Sequence, residues 1–354
     1  MINFNSKKVA FISDIHLGVH QDSATWHNIA IKFAHWLDNS LKDRNIKDIV
    51  IAGDIFHNRH EIGVNTIHAA HKFFDILKNY NIVAITGNHD CYYKDKSDVN
   101  SISILNGYKN ITVFQELRTC IIDGKTWTFC PWGVTIDKIP KSDIIVGHFE
   151  ITHFRMNQHK ICDHGMKTIQ LLDKSKFVIS GHFHYREHRT YPEGGSILYL
   201  GSPYELDFGD RDHAKGVSIL DTDTFEVELI ENNVTPKHVK INISDLTEGR
   251  VKLEELSPIL SNNFVDFSID KNVNTQAVDL LLTKFNQFKP LHVRTNYNIF
   301  ENVQLSATDV DNFSIDIETA LQEFVDLLDT QVNKKDILDK CLDLYKLSLV
   351  TNEQ

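Results

Sequence analysis

Short apolar runs recur along the first half of the chain, and each ends in serine or glycine. The first three are VAFIS at 9–13, DIVIAG at 48–53 and IVAITG at 82–87. Two more, DIIVG at 143–147 and FVISG at 177–181, have the same character. Their length and their content of β-branched residues are typical of buried strands. The pattern therefore predicts five strands, each followed at once by a change to small or polar residues.

Helical spacing of apolar residues separates the first three runs. Two faces are predicted: Ile29, Phe33, Trp36 and Leu37, and then Ile67, Ala70, Phe73, Phe74 and Leu77. Strand, helix and strand in alternation predict an α/β layered sheet. The later runs between 177 and 230 have little helix between them, which predicts a mixed or second sheet.

The pattern changes after Asn232–Pro236. Residues 237–300 alternate weakly around one helical run at 278–288, which indicates a small α+β domain. Two further helices, each apolar on one face, are predicted at about 315–329 and 334–347. The predicted parts are a main domain at 1–232, a second domain at 237–300 and a helical tail at 310–350.

Composition narrows the class of protein. The chain has 354 residues, 42% hydrophobic and 24% charged, as expected of a globular protein with two or three domains. We find no run of 18 apolar residues and no signal-peptide pattern, so we expect no membrane span and a cytoplasmic protein. The five cysteines are scattered without a CxxC pair, which favours a reducing compartment.

The net charge of −11 argues against a nucleic-acid partner, but the distribution of the charge weakens this objection. Residues 301–354 carry 12 acidic and 4 basic residues, a net charge of −8, which leaves −3 for residues 1–300. The acidity therefore belongs mainly to the tail, and the body of the chain must be judged on its sites.

Polar motifs follow the five predicted strands. They are SDIHLG (13–18), GDIFH (53–57), GNHD (87–90), GHFE (147–150) and GHFH (181–184). Ligands of open α/β sheets gather at the carboxyl ends of strands, where these motifs lie. Together they bring Asp14, His16, Asp54, Asn88, His89, His148, His182 and His184 to one place.

This set of side chains predicts a metal site. Carboxylates, imidazoles and one carboxamide, without a thiolate, suit manganese, iron or zinc. Seven or eight donors suit two ions, which a shared carboxylate can bridge at roughly 3.5–4 Å for phosphoryl chemistry. A sharp bend after Gly181 allows His182 and His184 to serve one ion each.

In this order the motifs resemble the binuclear metallophosphoesterase superfamily, and within it the SbcD-type DNA repair nucleases, over about residues 9–230. The capping region and tail are most similar to the phage recombination endonuclease subunits of that family. The resemblance implies an α/β fold: a two-sheet metallophosphoesterase sandwich flanked by helices, with a small α+β capping domain and a C-terminal helical tail.

The resemblance also implies roles for individual residues. One metal is held by Asp14, His16, Asp54 and His184, and the other by Asp54, Asn88, His148 and His182. His89 matches the catalytic histidine, and His57 matches a second histidine that aids the phosphate chemistry. We expect Asp90 to orient His89.

The implied activity is that of a hydrolase with two divalent metal ions, manganese foremost and magnesium as the alternative. It combines 3′–5′ double-strand exonuclease with single-strand endonuclease action on DNA in repair, recombination and replication. The family implies a homodimer that works, away from any membrane, with an SbcC-like ATPase bound to the C-terminal helices.

Two rival functions are open. A phosphoprotein phosphatase or phosphodiesterase could use the same scaffold, although GDIFHNRH and GNHD depart from the GDxxDRG and GNHE of serine/threonine phosphatases. A non-catalytic assembly subunit with structural metals is the second rival.

Several other residues have a structural interpretation that does not involve function. Aromatic and basic residues beside the site either contact DNA or form ordinary loops: Tyr92, Tyr93, Lys94, Lys96, Tyr185, Arg186, His188 and Arg189. Five histidines on predicted helices or loops are interpreted as structural: His20, His27, His35, His68 and His71.

Overall fold

The computed structural model describes residues 4–94, 96–192, 194–270, 275–298, 321–322, 324–326 and 333–350. The chain divides into two compact units, Met1–Tyr297 and Asn298–Gln354. The first unit contains two six-stranded sheets and one three-stranded sheet.

The first sheet is mainly parallel and has the order β12-β11-β1-β2-β3-β4. Its strands are β1 (Lys8–Ile12), β2 (Asp48–Ile51), β3 (Asn81–Ile85), β4 (Ile111–Phe114), β11 (Gly216–Asp221) and β12 (Val227–Glu231). Strands β1 to β4 run parallel, and β11 returns antiparallel beside β1. The last two strands of the predicted mixed region therefore complete the first sheet.

The second sheet has the order β5-β6-β7-β8-β10-β9. Its strands are β5 (Arg118–Ile122), β6 (Lys125–Cys130), β7 (Ile144–His148), β8 (Phe177–Gly181), β9 (Glu187–Thr190) and β10 (Ser196–Tyr199). Strands β6, β7, β8 and β10 are parallel, with antiparallel β5 and β9 at the edges. The two sheets confirm the predicted α/β class.

The core lies between the inner faces of the two sheets. Phe11 of β1 and Trp127 of β6 stack there at 6.3 Å between ring centroids. Because side chains alternate along a strand, Ile12 points to the other face and packs with Phe33 and Phe73 of the helices. Burial on both faces explains why these strands read as continuous apolar runs.

Helices cover the outer face of the first sheet. The helical segments of the first unit are α1 (Val19–Asp22), α2 (Ala24–Lys42), α3 (Val64–Ile76), α4 (Thr168–Leu172), α5 (Ile243–Thr247), α6 (Leu256–Leu260) and α7 (Thr275–Gln287). Short 3-10 turns span Ser101–Gly107, Ile136–Lys138 and Leu253–Glu255. One prediction was wrong in detail: Ile67 lies outside the buried stripe of α3 and is 47% exposed.

The region at 237–300 contains β13 (His238–Asn242), β14 (Phe264–Asp270) and β15 (His292–Asn298) in that order within one sheet. Strands β13 and β14 are parallel. Phe267, Val278 and Phe285 belong to its own apolar cluster. We call this α+β region the small domain.

The second unit contributes the helix α8 (Lys334–Val350). Most of the helix predicted at 315–329 lies outside the described residues, although 321–322 and 324–326 are helical. Within the described ranges, no helix has the length and apolarity needed to cross a bilayer.

Candidate metal centre

The loops after β1, β2, β3, β7 and β8 meet between the two sheets. The first three strands belong to one sheet and the last two to the other. Contacts join the loops across the sheets: the His182 backbone N–H donates to the Asp14 carboxylate at 3.2 Å. His148 Nε2 lies 2.8 Å from Asn88 Oδ1. The predicted strand-end residues therefore share one site.

The first cluster consists of Asp14, His16 and His184, whose donor atoms lie within 4.8 Å of one another. The Nε2 atoms of His16 and His184 are 3.0 Å apart. Asp14 and His16 are buried, and His184 is partly exposed. Two imidazole nitrogens and a carboxylate oxygen thus face one small volume.

The second cluster consists of Asp54, His148 and His182, again with donor atoms within 4.8 Å. Asn88 joins it through its carboxamide oxygen, 2.7 Å from His182 Nδ1. His148 Nδ1 donates to the Ala52 carbonyl at 2.7 Å, which leaves Nε2 directed at the cluster.

Asp54 connects the two clusters. Its Oδ2 atom lies 3.6 Å from His16 Nε2 and 3.4 Å from His148 Nε2. Its Oδ1 atom accepts the His89 backbone N–H at 2.8 Å. The side chain is almost fully buried, so it is held between the clusters by contacts on both sides.

Backbone strain is concentrated in these residues. Asp14, His16, Asp54 and His182 have φ angles of 56°, 51°, 54° and 92°. Left-handed conformations of residues other than glycine cost about 1–3 kcal/mol each and persist where the surroundings enforce them. In four of the seven expected ligands, the direction of the side chain is therefore set by an energetically unfavourable backbone conformation. Such conformations are common at functional sites.

His89 and His57 lie at the edge of the first cluster. His89 Nδ1 donates to the His57 carbonyl oxygen at 2.7 Å. The His57 ring stacks on His89 at 5.2 Å, and its Nδ1 atom is 3.3 Å from His16 Nδ1. Burial, together with His89, lowers the pKa of His57 to about 4. The His57 ring is thus a neutral imidazole beside the donor clusters.

The role expected of Asp90 was wrong. Its carboxylate accepts backbone N–H groups of Gly87 and Phe56, each at 2.9 Å, whereas His89 Nδ1 is hydrogen-bonded to the His57 carbonyl. Burial, then the Asp54 charge, raises the pKa of Asp90 to about 7. Asp90 therefore fastens the loops after β2 and β3, and the His57 carbonyl orients His89.

The donor set fits two divalent cations. Burial lowers the pKa of His16 well below its usual range, which keeps its imidazole in the neutral form that binds metals. Burial opposes a charge on His148, but Asp54 overrides it and raises the pKa of His148 to about 9. A metal cation bound near Asp54 can supply the positive charge that the protonated His148 ring otherwise supplies. Nitrogen and oxygen donors without sulfur match borderline or hard ions.

The sequence assigns no role to three supporting side chains. Glu150 Oε1 lies 3.4 Å from His182 Nε2, on the side of the ring away from Asn88. Asp210 Oδ2 lies 3.8 Å from His184 Nδ1. Buried Lys215 donates to Asp210 at 2.9 Å and to the His184 carbonyl at 2.7 Å. Glu150 belongs to the GHFE motif, whereas nothing in the local sequence marks Asp210 or Lys215.

The aromatic and basic residues in the loops beside the site differ in exposure and in contacts. Tyr92 and Tyr93 are 42% and 46% exposed. Lys94 offers its carbonyl to Trp132 Nε1 at 2.9 Å. The Trp132 ring lies 5.2 Å from the His182 ring, a neighbour that the motifs did not reveal.

Comparison with known proteins agrees with this geometry. The calcineurin-like phosphoesterase family model matches residues 7–186, about half of the chain, and this stretch contains all seven expected ligands. The chain belongs to the calcineurin-like phosphoesterase family. It is therefore a metallophosphoesterase, a metal-dependent hydrolase, and the clusters fit the dinuclear divalent centre of that family.

Two relatives and one solved structure are among the proteins that are similar to the chain. Exonuclease subunit 1 of Enterobacteria phage T4 is 30% identical over 264 residues, which cover 70% of this chain and 76% of the phage protein. An uncharacterized protein of Acanthamoeba polyphaga mimivirus is 23% identical over 320 residues, covering 82% of this chain and 23% of that protein. A dimetal phosphatase from Danio rerio is 10% identical and covers 60% of this chain and 91% of that chain, with a TM-score of 0.36.

Proposed function

We propose that this chain is the metal-dependent DNA nuclease subunit of an SbcCD-like complex. It degrades duplex ends from 3′ to 5′ and cuts single strands during repair, recombination and replication. One observation carries the proposal. Two donor clusters joined by Asp54, with His89 beside them, lie in a chain 30% identical to a phage exonuclease subunit.

The two ions have separate sets of ligands that share one carboxylate. One set is Asp14, His16, Asp54 and His184; the other is Asp54, Asn88, His148 and His182. Bound manganese, or magnesium in its place, supplies an activated water and neutralises charge on the phosphate. Asp54 fits the bridging position because one oxygen atom faces a histidine of each cluster.

His89 is the proposed catalytic histidine. His89 Nδ1 donates a hydrogen bond to the His57 carbonyl oxygen. Nε2 is therefore the ring atom that can exchange a proton with the substrate or stabilise the charge of the substrate. The backbone N–H of His89 is fixed on Asp54, which ties the ring to the metal cluster. His57 contributes by holding His89 through its carbonyl and by packing against His16.

The partners are DNA, a second copy of this chain and an SbcC-like ATPase. The proposed domains are the nuclease domain at 1–232, the capping domain at 237–300 and the ATPase-binding tail at 310–350. The proposed location is the cytoplasm, of the host if the protein is viral. Truncation at about residue 305 should leave metal binding intact and abolish co-purification with the ATPase.

The test uses linear duplex DNA labelled at either end and compares manganese, magnesium and EDTA. We expect manganese-dependent release of nucleotides, and a loss of about 10²–10⁴-fold in His89→Ala, the usual effect of removing a general acid or base. His68→Ala, which changes an exposed histidine of α3, is the matched control and should cut normally.

Other outcomes would refine or replace the proposal. Cutting only after the ATPase is added would mean that the partner gates the nuclease. Turnover of phosphomonoesters without any cutting of DNA would make the chain a phosphatase. No turnover of any substrate by the unaltered chain, with other functions intact in His89→Ala, would favour a non-catalytic subunit whose metals are structural.

A further inference from the structure

A cleft of about 800 Å³ lies where the small domain meets the two-sheet domain. A smaller cavity of about 420 Å³ lies over the first metal cluster, where His16 and His57 line it. His20, His184 and Asp207 line both cavities. The large cleft therefore adjoins the mouth of the metal centre.

One wall of the cleft is a stack of rings that crosses from one domain to the other. The Trp26 ring of α2 lies between His20, at 4.5 Å and 24°, and Phe264 of β14, at 5.1 Å and 8°. His238 packs beside both of these rings, at 4.8 Å and 14° from Phe264 and at 6.0 Å and 21° from Trp26. Trp26, His238 and Phe264 are buried, whereas His20 is the exposed end of the stack.

The wall continues in Phe208, whose ring lies 4.6 Å from the His238 ring. Arg294 of β15 lies 3.9 Å over the Phe208 ring and donates to Asp266 at 2.7 Å, which fixes the guanidinium at the rim. His292 also lines the cleft. Asp210 also lines the cleft, but the buried ion pair with Lys215 neutralises it. The cleft thus combines ring faces with one guanidinium, which is paired with buried Asp266, and with the carboxylate of exposed Asp207.

His20 reaches the cleft through a strained turn. His20, Gln21 and Asp22 have consecutive φ angles of 55°, 58° and 60°. Two contacts hold the turn: His20 Nε2 donates to the Leu206 carbonyl at 2.9 Å, and Asp22 accepts a hydrogen bond from Thr66. Strain of this kind is concentrated at functional segments. Domain packing alone does not require an exposed imidazole at the end of such a turn.

We propose that this cleft binds one unpaired nucleotide of the nucleic-acid strand, next to the phosphate that lies at the metal centre. Its base stacks on the ring wall at His20 and Phe208, and its phosphate lies towards Arg294 and His292. The volume falls within the range of roughly 300–1,000 Å³ that is usual for small-ligand sites. The inference rests on the proposed nuclease function and names the substrate unit as a frayed or single-stranded end.

The experiment places the fluorescent base 2-aminopurine at successive positions of a short single-stranded oligonucleotide. The full chain carries His89→Ala and is kept in EDTA, so that the strand is not cut. Stacking on aromatic rings quenches this base, so quenching should be strongest at one position. Intact and variant chains are also compared for affinity to the same strand.

Three variants test the cleft from different sides. His20→Asn removes the exposed ring with a residue that tolerates left-handed backbone. Phe208→Leu keeps apolar bulk, and Arg294→Gln removes the cation. Each should weaken binding at least about fivefold, the lower end of the effect of losing one base–aromatic stack. His20→Asn and Phe208→Leu should also remove the position-specific quenching, whereas the control His68→Asn should change neither readout.

The outcomes separate this inference from the proposed function. If the unaltered chain neither binds nor cuts any oligonucleotide, the proposed function fails and the inference fails with it. If it binds and cuts, but all three variants bind equally well and quenching is uniform along the strand, the cleft inference alone is overturned. The melting temperature of Phe208→Leu shows whether weaker binding comes from lost stacking or from lost folding. His20→Asn tests the cleft at an exposed position.

Discussion

The ammonium group of Lys215 donates to the backbone carbonyl of His184 over 2.7 Å, from a position that is 6% exposed. Its other two contacts are Ser202 Oγ at 2.8 Å and Asp210 Oδ1 at 2.9 Å. All three donors of the ammonium group are thereby used. Asp210 in turn faces His184 Nδ1, so one buried ion pair supports both the backbone and the ring of this proposed ligand.

Lys215→Met is therefore expected to weaken metal binding at the first cluster more than at the second. It also leaves Asp210 buried without its partner, a change that destabilises proteins by about 3–5 kcal/mol. Calorimetric titration with manganese reports the two affinities, and thermal unfolding reports the stability.

A matched control is Lys42→Met, which removes a surface pair with Asp38 on α2. It should change stability by less than about 1 kcal/mol and leave both affinities unchanged. Equal weakening of both metal sites in Lys215→Met would show that the effect is general destabilisation rather than positioning of His184.

Asp54→Asn should reduce the number of bound metals from two to one or none. The substitution keeps the size of the side chain but removes the charge that faces His16 and His148. Metal analysis after dialysis against manganese gives the count. Asp14→Asn is the comparison, because Asp14 belongs to the first cluster only and its loss should spare one ion. Two ions retained by Asp54→Asn would contradict the bridging role.

Much of this site could be predicted because its residues are local in sequence. Each ligand follows a buried apolar strand, so the motifs alone place Asp14, Asp54 and Asn88 at strand ends. The supporting residues were hidden because they are distant along the chain. Lys215 reaches the His184 carbonyl across 31 positions. No periodicity encodes such a contact.

The same distinction applies to the fold. Continuous apolar runs predicted strands that are buried on both faces, and β1, β2 and β3 lie where those runs do. Which sheet each strand joins was not predictable, because β11 pairs with β1 across about two hundred positions of intervening chain. The error at Asp90 has a related cause: adjacency to His89 suggested a contact, but the side chain points to the backbone of Phe56.

Asp48 should prove a strong stabilising residue away from the metal centre. It is fully buried and accepts backbone N–H groups of Asn5 at 2.7 Å and Ser6 at 3.2 Å. The side chains of Asn5 and Asn81 also donate to it. Asp48→Ala leaves these donors without a carboxylate and should lower the free energy of unfolding by about 2–4 kcal/mol.

Urea denaturation measures this effect. Asp43→Ala, at an exposed position close in sequence, is the control and should change stability by at most about 0.5 kcal/mol. Similar losses in the two variants would show that the four contacts to Asp48 do not stabilise the fold.

Gly181, the last residue of β8, must be a glycine because there is no space for a side chain. A Cβ atom on Gly181 would lie 2.0 Å from Ser13 Oγ and 2.3 Å from the Ala52 carbonyl oxygen. Both atoms belong to the first sheet's strand ends, so the second sheet can approach the metal centre this closely only where β8 has no side chain. Gly181→Ala should therefore push β8 away, destabilise the protein by about 1–3 kcal/mol and weaken metal binding.

Gly107→Ala is the matched control, because a Cβ there meets nothing within 4 Å. It should leave the melting temperature and the manganese affinity unchanged. A Gly181→Ala protein with unaltered stability and metal affinity would refute the packing argument. A loss confined to metal affinity would instead mean that β8 shifts only at its end, where His182 and His184 leave the strand.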